Sequence, residues 1–173
     1  MQSTALLMSD MKPAVFWSRT PVNFWYDNVG VHSHHFGFWL ELTMDVGRPL
    51  GDMDDSPCPV HQALGQFYNN TVHSNAQIGM RIYPEYTPLV NPCDSTSAPA
   101  PQYFYKLLSF RNGGNGLFSK RHGDLHHIGM CCVECVCVAL TAVATKHCNQ
   151  LTYIFNFFKV TSSLKMAGMI SIS

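Results

Sequence analysis

The residue types with chemical potential in this chain are histidine, cysteine and a few carboxylates. Nine His are present. Six of them fall in groups at His32/His34/His35, His122 and His126/His127. Imidazoles at such spacing serve as metal ligands or pH sensors when partners converge on them, and as hydrogen-bonded turn residues when none do. His34 and His35 are neighbours, so a strand would point them to opposite faces. Asp52, Asp54 and Asp55 suggest a calcium loop, but the central Gly and distal Glu of that pattern are out of place. A solvated acidic loop is the alternative. Five of the seven Cys lie close to the C-terminus: Cys131, Cys132, Cys135, Cys137 and Cys148. Structural zinc prefers two separated C-x2-4-C pairs, and the order C-C-x-x-C-x-C differs from that.

Catalysis on polysaccharides needs another constellation. Glycoside cleavage uses two carboxylates facing across a groove, ~5–10 Å apart. The acidic residues within the repeats are few: Asp27, Glu41, Glu85 and Asp124. Glu41 and Glu85 alone stand near corresponding strand ends. Arg81, Lys120 and Arg121 are candidate bases for a lyase without forming a recognisable set. The sequence therefore leads us to expect no catalytic residue, no metal and no cofactor.

The elements that position these residues emerge from a repeat. WYDNVGVHSHHFGFW (Trp25–Trp39), FYNNTVHSNAQIGMR (Phe67–Arg81) and FYKLLSFRNGGNGLF (Phe104–Phe118) align without gaps. Each opens with an aromatic and a Tyr: Trp25-Tyr26, Phe67-Tyr68, Phe104-Tyr105. Each carries a Gly at one later position, Gly37, Gly79 and Gly116, followed by an apolar residue, Phe38, Met80 or Leu117. Ser33, Asn75 and Asn112 align, as do Asp27, Asn69 and Lys106. Asn and Gly suit turns because they tolerate left-handed backbone. Stacked copies pair strand on strand in parallel and bury a continuous interior, with amides laddered from coil to coil. The pattern predicts an all-β, right-handed parallel β-helix, a partial solenoid. An antiparallel sandwich is the alternative.

Strands are expected at Ala14–Ser18, Asn23–Val29, Phe36–Leu42, Gly65–Val72, Ile78–Tyr83, Tyr103–Phe110 and Gly116–Ser119. Trp25, Phe67 and Phe104 should stack inward, with Tyr26, Tyr68 and Tyr105 outward. Two turn-rich excursions each hold one cysteine, Cys58 and Cys93. In an oxidising compartment the two would pair and pin neighbouring loops; otherwise they are thiols. Asn69-Asn70-Thr71 is an N-glycosylation sequon, with Asn69 the acceptor in a secreted protein.

The chain divides by composition into an N-terminal tail (1–11), the repeats (12–130) and a Cys-rich apolar tail (131–173). The tail's structure is left open by the pattern. It is expected to lie outside the fold, or to form an isolated helix or hairpin around Val133–Ala144. Ile128–Ala144 is apolar but interrupted by Glu134 and short of the ~20 residues that span a bilayer. Ala5–Met8 is too short for a signal-peptide core. Charged residues make up 13% of the chain, and Lys+Arg equals Asp+Glu at 11 each. A balanced charge offers no electrostatic footprint for nucleic acid.

Several stretches resemble a known family: Pro13-Ala14-Val15-Phe16-Trp17, Gly37-Phe38-Trp39, and Leu64-Gly65-Gln66-Phe67-Tyr68-Asn69-Asn70 with Val72-His73-Ser74. Together, about Lys12–Met130 is similar to the parallel β-helix region of fibrocystin-L and fibrocystin. The same region resembles the hyaluronan-depolymerising relatives, the cell-migration-inducing hyaluronan-binding protein and the transmembrane hyaluronidase. YPEYTP (residues 83–88) and the Cys93 loop lean toward the fibrocystin-L branch. The resemblance implies a segment of a large cell-surface ectodomain, extracellular and non-enzymatic, that presents a surface for adhesion or ligand recognition. Its partner would be an extracellular protein or a glycan, and its membrane attachment would come from parts missing from this chain. A hyaluronan-binding or hyaluronan-depolymerising module is the alternative. The chain departs from the family in lacking a G8 domain and an evident membrane anchor, and its tail after Met130 is unmatched.

Overall fold

The computed structural model describes residues 11–44, 58–134 and 136–138. Eleven strands form two sheets among the described residues. They are β1 (Ala14–Ser18), β2 (Phe24–Tyr26), β3 (Val29–Val31), β4 (Phe36–Leu40), β5 (Gln66–His73) and β6 (Ile78–Tyr86). Then come β7 (Gln102–Phe110), β8 (Asn115–His122), β9 (Leu125–Ile128), β10 (Cys131–Val133) and β11 (Val136–Val138). The first sheet runs β1-β4-β6-β8-β11. The second runs β10-β7-β5-β2, with β3 also on β5 and β9 also on β7. Every pairing between these strands is parallel, as a stack of coils requires. The architecture is an all-β parallel β-helix.

The register reproduces the sequence repeat. Trp25 pairs with Phe67 and Tyr26 with Tyr68. Tyr68 pairs with Tyr105. Phe38 pairs with Met80, and Met80 with Leu117. The interior is lined by Phe38, Leu40, Phe67, Val72, Met80, Ile82, Phe104, Leu107 and Leu117, all buried. Aromatic contacts run along the stack, Phe16 on Phe38 at 4.7 Å, Phe38 on Phe67 at 5.5 Å and Phe67 on Phe104 at 5.3 Å. Gly79 is required by close approach. A Cβ there would lie 2.5 Å from both the Gly116 carbonyl oxygen and Ser109 Oγ.

The structure departs from the sequence reading in two places. Each coil bends at two left-handed residues. The first column of such residues is Asp27, Asn69, Lys106 and Gly129, with φ of 56°, 53°, 50° and 65°. The second is His32, Ser74, Arg111 and Glu134, with φ of 57°, 55°, 50° and 53°. At the first bend the expected strand Asn23–Val29 breaks into β2 and β3. There the alternation of period two also resets. Phe67 and Asn70 both face inward while Tyr68 and Asn69 are both exposed.

The second departure is the boundary at Met130. β10 pairs in register with β7, Cys131 to Leu108 and Val133 to Phe110. β11 pairs with β8, Cys137 to Leu117 and Val138 to Phe118. The strands Cys131–Val133 and Val136–Val138 thus add further pairing to the stack instead of lying outside it. The exposed backbone groups of β7 and β8 need partners, and a short apolar segment supplies them. Cys131 and Cys132 are both disulfide-bonded. The expected helix or hairpin over Val133–Ala144 is replaced by a strand as far as Val138, and residues 139–173, with Cys148, lie outside the described residues. Among the described residues no helix is long and apolar enough to cross a membrane.

Candidate binding surface

The outer face of the second sheet combines exposed aromatics with a polar border. Its strands are β2, β5, β7 and β9, whose even pairing places one side chain of each coil beside the next, ~4.8 Å away. Tyr26, Tyr68 and Tyr105 form the central column, 56%, 37% and 39% exposed. Phe24 and Tyr103 stand exposed beside it. Tyr103 stacks on His126 at 4.9 Å and on Tyr105 at 6.1 Å. Leu64, Gly65, Gln66, Gln102, Tyr103 and Tyr105 line a shallow depression there. Gln102 fixes its floor, accepting from the Leu64 backbone N–H at 2.7 Å.

The border is the first column of left-handed residues. Their bend turns each side chain outward, next to the tyrosines. Asn69 Nδ2 donates to Asp27 Oδ1 at 2.7 Å. Lys106 Nζ donates to the Tyr68 hydroxyl at 2.8 Å and lies 4.9 Å from that ring's centre. The tyrosines therefore present apolar rings flanked by a carboxylate, an amide and an ammonium. Such a face can hold an amphipathic ligand by ring stacking and hydrogen bonding together.

The structure draws Cys58 and Cys93 into a disulfide with Cα atoms 5.5 Å apart, linking the end of one excursion to the loop of the next. A one-turn 3-10 helix, Pro59–His61, follows Cys58. His61 Nδ1 lies 2.7 Å from the Thr87 carbonyl oxygen, which adds a second tie between the excursions. Asp52, Asp54 and Asp55 lie outside the described residues.

The histidines are dispersed. His32 and His34 are exposed on the corner. His35 is partly buried, and its pKa is lowered by that burial, with His34, Lys12 and Arg81 adding to the effect. His126 Nε2 sits 2.9 Å from Asp124 Oδ1. His127 points inward and stacks on Phe104 at 4.9 Å, continuing the Trp25–Phe67–Phe104 column. Burial lowers its pKa to about 4, with His122 and His126 contributing. Its Nδ1 has no hydrogen-bond partner. Among the described residues no group of three or more His, Cys, Asp or Glu is placed to hold a metal ion.

The carboxylates are also separated. Glu41 accepts from Trp17 Nε1 at 3.0 Å. Leu40 pairs with Ile82, so Glu41 falls at the level of Tyr83 and Glu85 stands two residues further on, 3.8 Å from Arg121. The expectation that these two stand at corresponding strand ends is corrected by that register. Arg81, one candidate base, is enclosed by rings, its guanidinium 4.7 Å from Phe36, 5.4 Å from Trp39 and 4.1 Å from Tyr83. Burial lowers its pKa, opposed by Tyr83 and Glu41. Lys120 lies over Tyr83 at 5.2 Å and Arg121 pairs with Glu85, so the three bases do not converge.

Sequence reasoning found the tyrosine column but missed the left-handed border as a border. The signal was present in the alignment of Asp27, Asn69 and Lys106, whose polar types share no chemistry and share only a corner. β9 was missed too. Its coil is only 23 residues from the previous one (127 − 104), against 37 and 42 for the others, and it opens with His127 where the repeat has an aromatic.

Parts of this chain are similar to known sequences. Residues 2–80 match the CEMIP beta-helix family. Fibrocystin-L of Homo sapiens is 38% identical over 109 residues, covering 63% of this chain and 2% of that protein. Fibrocystin-L of Mus musculus is 37% identical over 106 residues, covering 61% of this chain and 2% of that protein. The chain thus spans about 2% of the length of the curated relatives it matches. No solved structure matches it.

Proposed function

We propose that this fibrocystin-L-like β-helix is an extracellular segment of a cell-surface receptor or coat protein, binding ligands on the tyrosine face without catalysing a reaction. The observation that carries the reading is the exposed column Tyr26–Tyr68–Tyr105 with its polar border. Tyrosine offers large, rigid contact area at low entropic cost and keeps a hydroxyl for polar partners. Disulfides at Cys58–Cys93, Cys131 and Cys132 support an oxidising compartment, where such bonds persist. Glu41, held by Trp17, and Glu85, held by Arg121, support a non-enzymatic role, because a glycosidase needs two carboxylates facing one groove. The ligand is an extracellular protein or a glycan.

The test uses the full chain secreted from cultured cells. The native chain and a variant with Tyr26, Tyr68 and Tyr105 all changed to Ser are compared for binding to intact cells and to immobilised hyaluronan. Loss of binding in the variant, with an unchanged folded signature, is the expected result. Equal binding by both would place the ligand elsewhere. Shortening of soluble hyaluronan by the native chain would overturn the non-enzymatic reading.

A further inference from the structure

Asn69 stands on the border of the tyrosine face, directly after Tyr68 in β5. Asn69-Asn70-Thr71 is the only sequon in the chain. The left-handed bend at Asn69 turns the side chain out to solvent, whereas Asn70 beside it is fully buried. Tyr68 precedes Asn69, and Tyr105 pairs with Tyr68 in the next coil. Lys106, at the same corner one coil on, ties its ammonium to the Tyr68 hydroxyl. A group attached to Asn69 therefore leaves the corner alongside two half-exposed rings.

We propose that Asn69 carries an N-linked glycan whose first sugars lie over Tyr68 and Tyr105, so that its occupancy regulates access to the tyrosine face. The inference rests on the reading of that face as the binding surface. The donor is a lipid diphosphate-linked oligosaccharide. The Asn69 amide nitrogen forms a bond to the sugar C1 as the C1–O bond to diphosphate breaks; the amide gives up one N–H proton and lipid diphosphate leaves. The nitrogen keeps its other hydrogen. The bond to Asp27 Oδ1 at 2.7 Å needs only one, so the glycosylated amide retains a hydrogen with which to make it. The C–H face of a sugar then meets the tyrosine rings as an apolar surface.

The experiment takes the full chain, secreted from mammalian cells behind a leader that guarantees passage through the glycosylating compartment. Peptide mass spectrometry reads occupancy at Asn69. Nitration by tetranitromethane then reads the accessibility of Tyr68 and Tyr105, with Tyr83 on the other sheet as the internal standard. Glycosylated protein is compared with the same protein after enzymatic removal of the glycan, and with Thr71→Val, which lacks the sequon. Nitration of Tyr68 and Tyr105 is expected to be about fivefold slower with the glycan present, the occlusion that one aromatic stack provides. Tyr83 should be unchanged. An unoccupied Asn69, or an occupied Asn69 with unaltered rates, overturns the proposal. Neither readout needs a ligand, so failure of the binding reading, seen in the tyrosine-to-serine variant, is separately visible.

Discussion

Each coil turns at two left-handed corners, and the residues that follow the two corners differ. After the second corner these are Ser33, Asn75 and Asn112. The Ser33 backbone N–H donates to Asn75 Oδ1 at 3.0 Å, and the Asn75 N–H donates to Asn112 Oδ1 at 3.1 Å. Asn112 Nδ2 passes the chain to Ser109 Oγ, which donates to the Gly116 carbonyl oxygen. After the first corner the pattern fades. Asn70 accepts from the Asn28 N–H and side chain, both at 3.1 Å, and donates to the Trp25 carbonyl oxygen at 2.8 Å. The next two coils replace it with buried Leu107 and Met130. The second corner is thus held by a polar ladder through three coils, while the first accepts either an amide or a hydrocarbon. The first corner is also the one that borders the tyrosines. The fold is specified at one corner and leaves the other free to vary its chemistry.

The largest effect should come from breaking the ladder. Asn75→Leu removes the acceptor for the Ser33 N–H, the donor to the Gly30 carbonyl oxygen at 3.3 Å and the donor to Asn112 at 3.0 Å. Several buried groups lose partners at once, at about 4 kcal/mol. Asn70→Leu copies what the next coil already does and should cost about 2 kcal/mol, mainly for the stranded Asn28 N–H. Urea unfolding of the two variants measures the gap. Equal losses would erase the distinction between the corners.

Acid sharpens the comparison from inside the first corner. His127 occupies the column that elsewhere holds Trp25, Phe67 and Phe104, and burial lowers its pKa from 6.5 to about 4. Above pH 6.5 it is neutral in both the folded and unfolded states and has no effect on stability. As pH falls from 6.5 toward 4 the unfolded chain takes up the proton and the folded one does not. Stability therefore drops through that window, by about 3 kcal/mol in full. His127→Phe should remove most of this slope and fold as well as the native chain at pH 7.5. The His35 pKa is lowered in the same direction, mainly by burial. Persistence of the whole slope in the variant would show that another group is responsible.

The sequence made the stacking legible because three coils repeat Trp25-Tyr26, Phe67-Tyr68 and Phe104-Tyr105 in one register. Burial needs that periodicity, so the core and the exposed tyrosines could both be read. The last coil was obscured by its own chemistry. His127 replaces an aromatic, Met130 replaces an amide or Leu, and cysteines take the strand positions beside Leu108 and Ser109. Composition changes sharply at Met130 although the backbone pairing does not, because parallel pairing uses main-chain groups that every residue carries. The bends were hidden for a related reason. A left-handed conformation is signalled by Gly or Asn, yet Lys106, Arg111, His32 and Glu134 adopt it under the constraint of neighbouring coils.

Those constrained residues give the smallest and cleanest test. Lys106 and Gly129 hold the same corner in successive coils, at φ 50° and 65°. A side chain in that conformation costs about 1 kcal/mol that glycine does not pay. A Cβ on Gly129 would meet Lys106 Cγ at 3.5 Å, an ordinary contact, so the space is available and only the backbone resists. Gly129→Ala should thus lower stability by about 1 kcal/mol. Lys106→Gly relieves the same strain but gains chain entropy on unfolding and loses the bond to the Tyr68 hydroxyl, an exposed contact worth little. Its net change should stay within about 0.5 kcal/mol of zero. At the second corner Arg111→Gly relieves equivalent strain and loses the exposed 2.9 Å pair with Glu134, so it too should be nearly silent. The ladder behind the second corner, and not the bend itself, would then carry the difference between them. A loss of several kcal/mol in Arg111→Gly alone would put the specification in the corner residue and require the comparison to be redrawn.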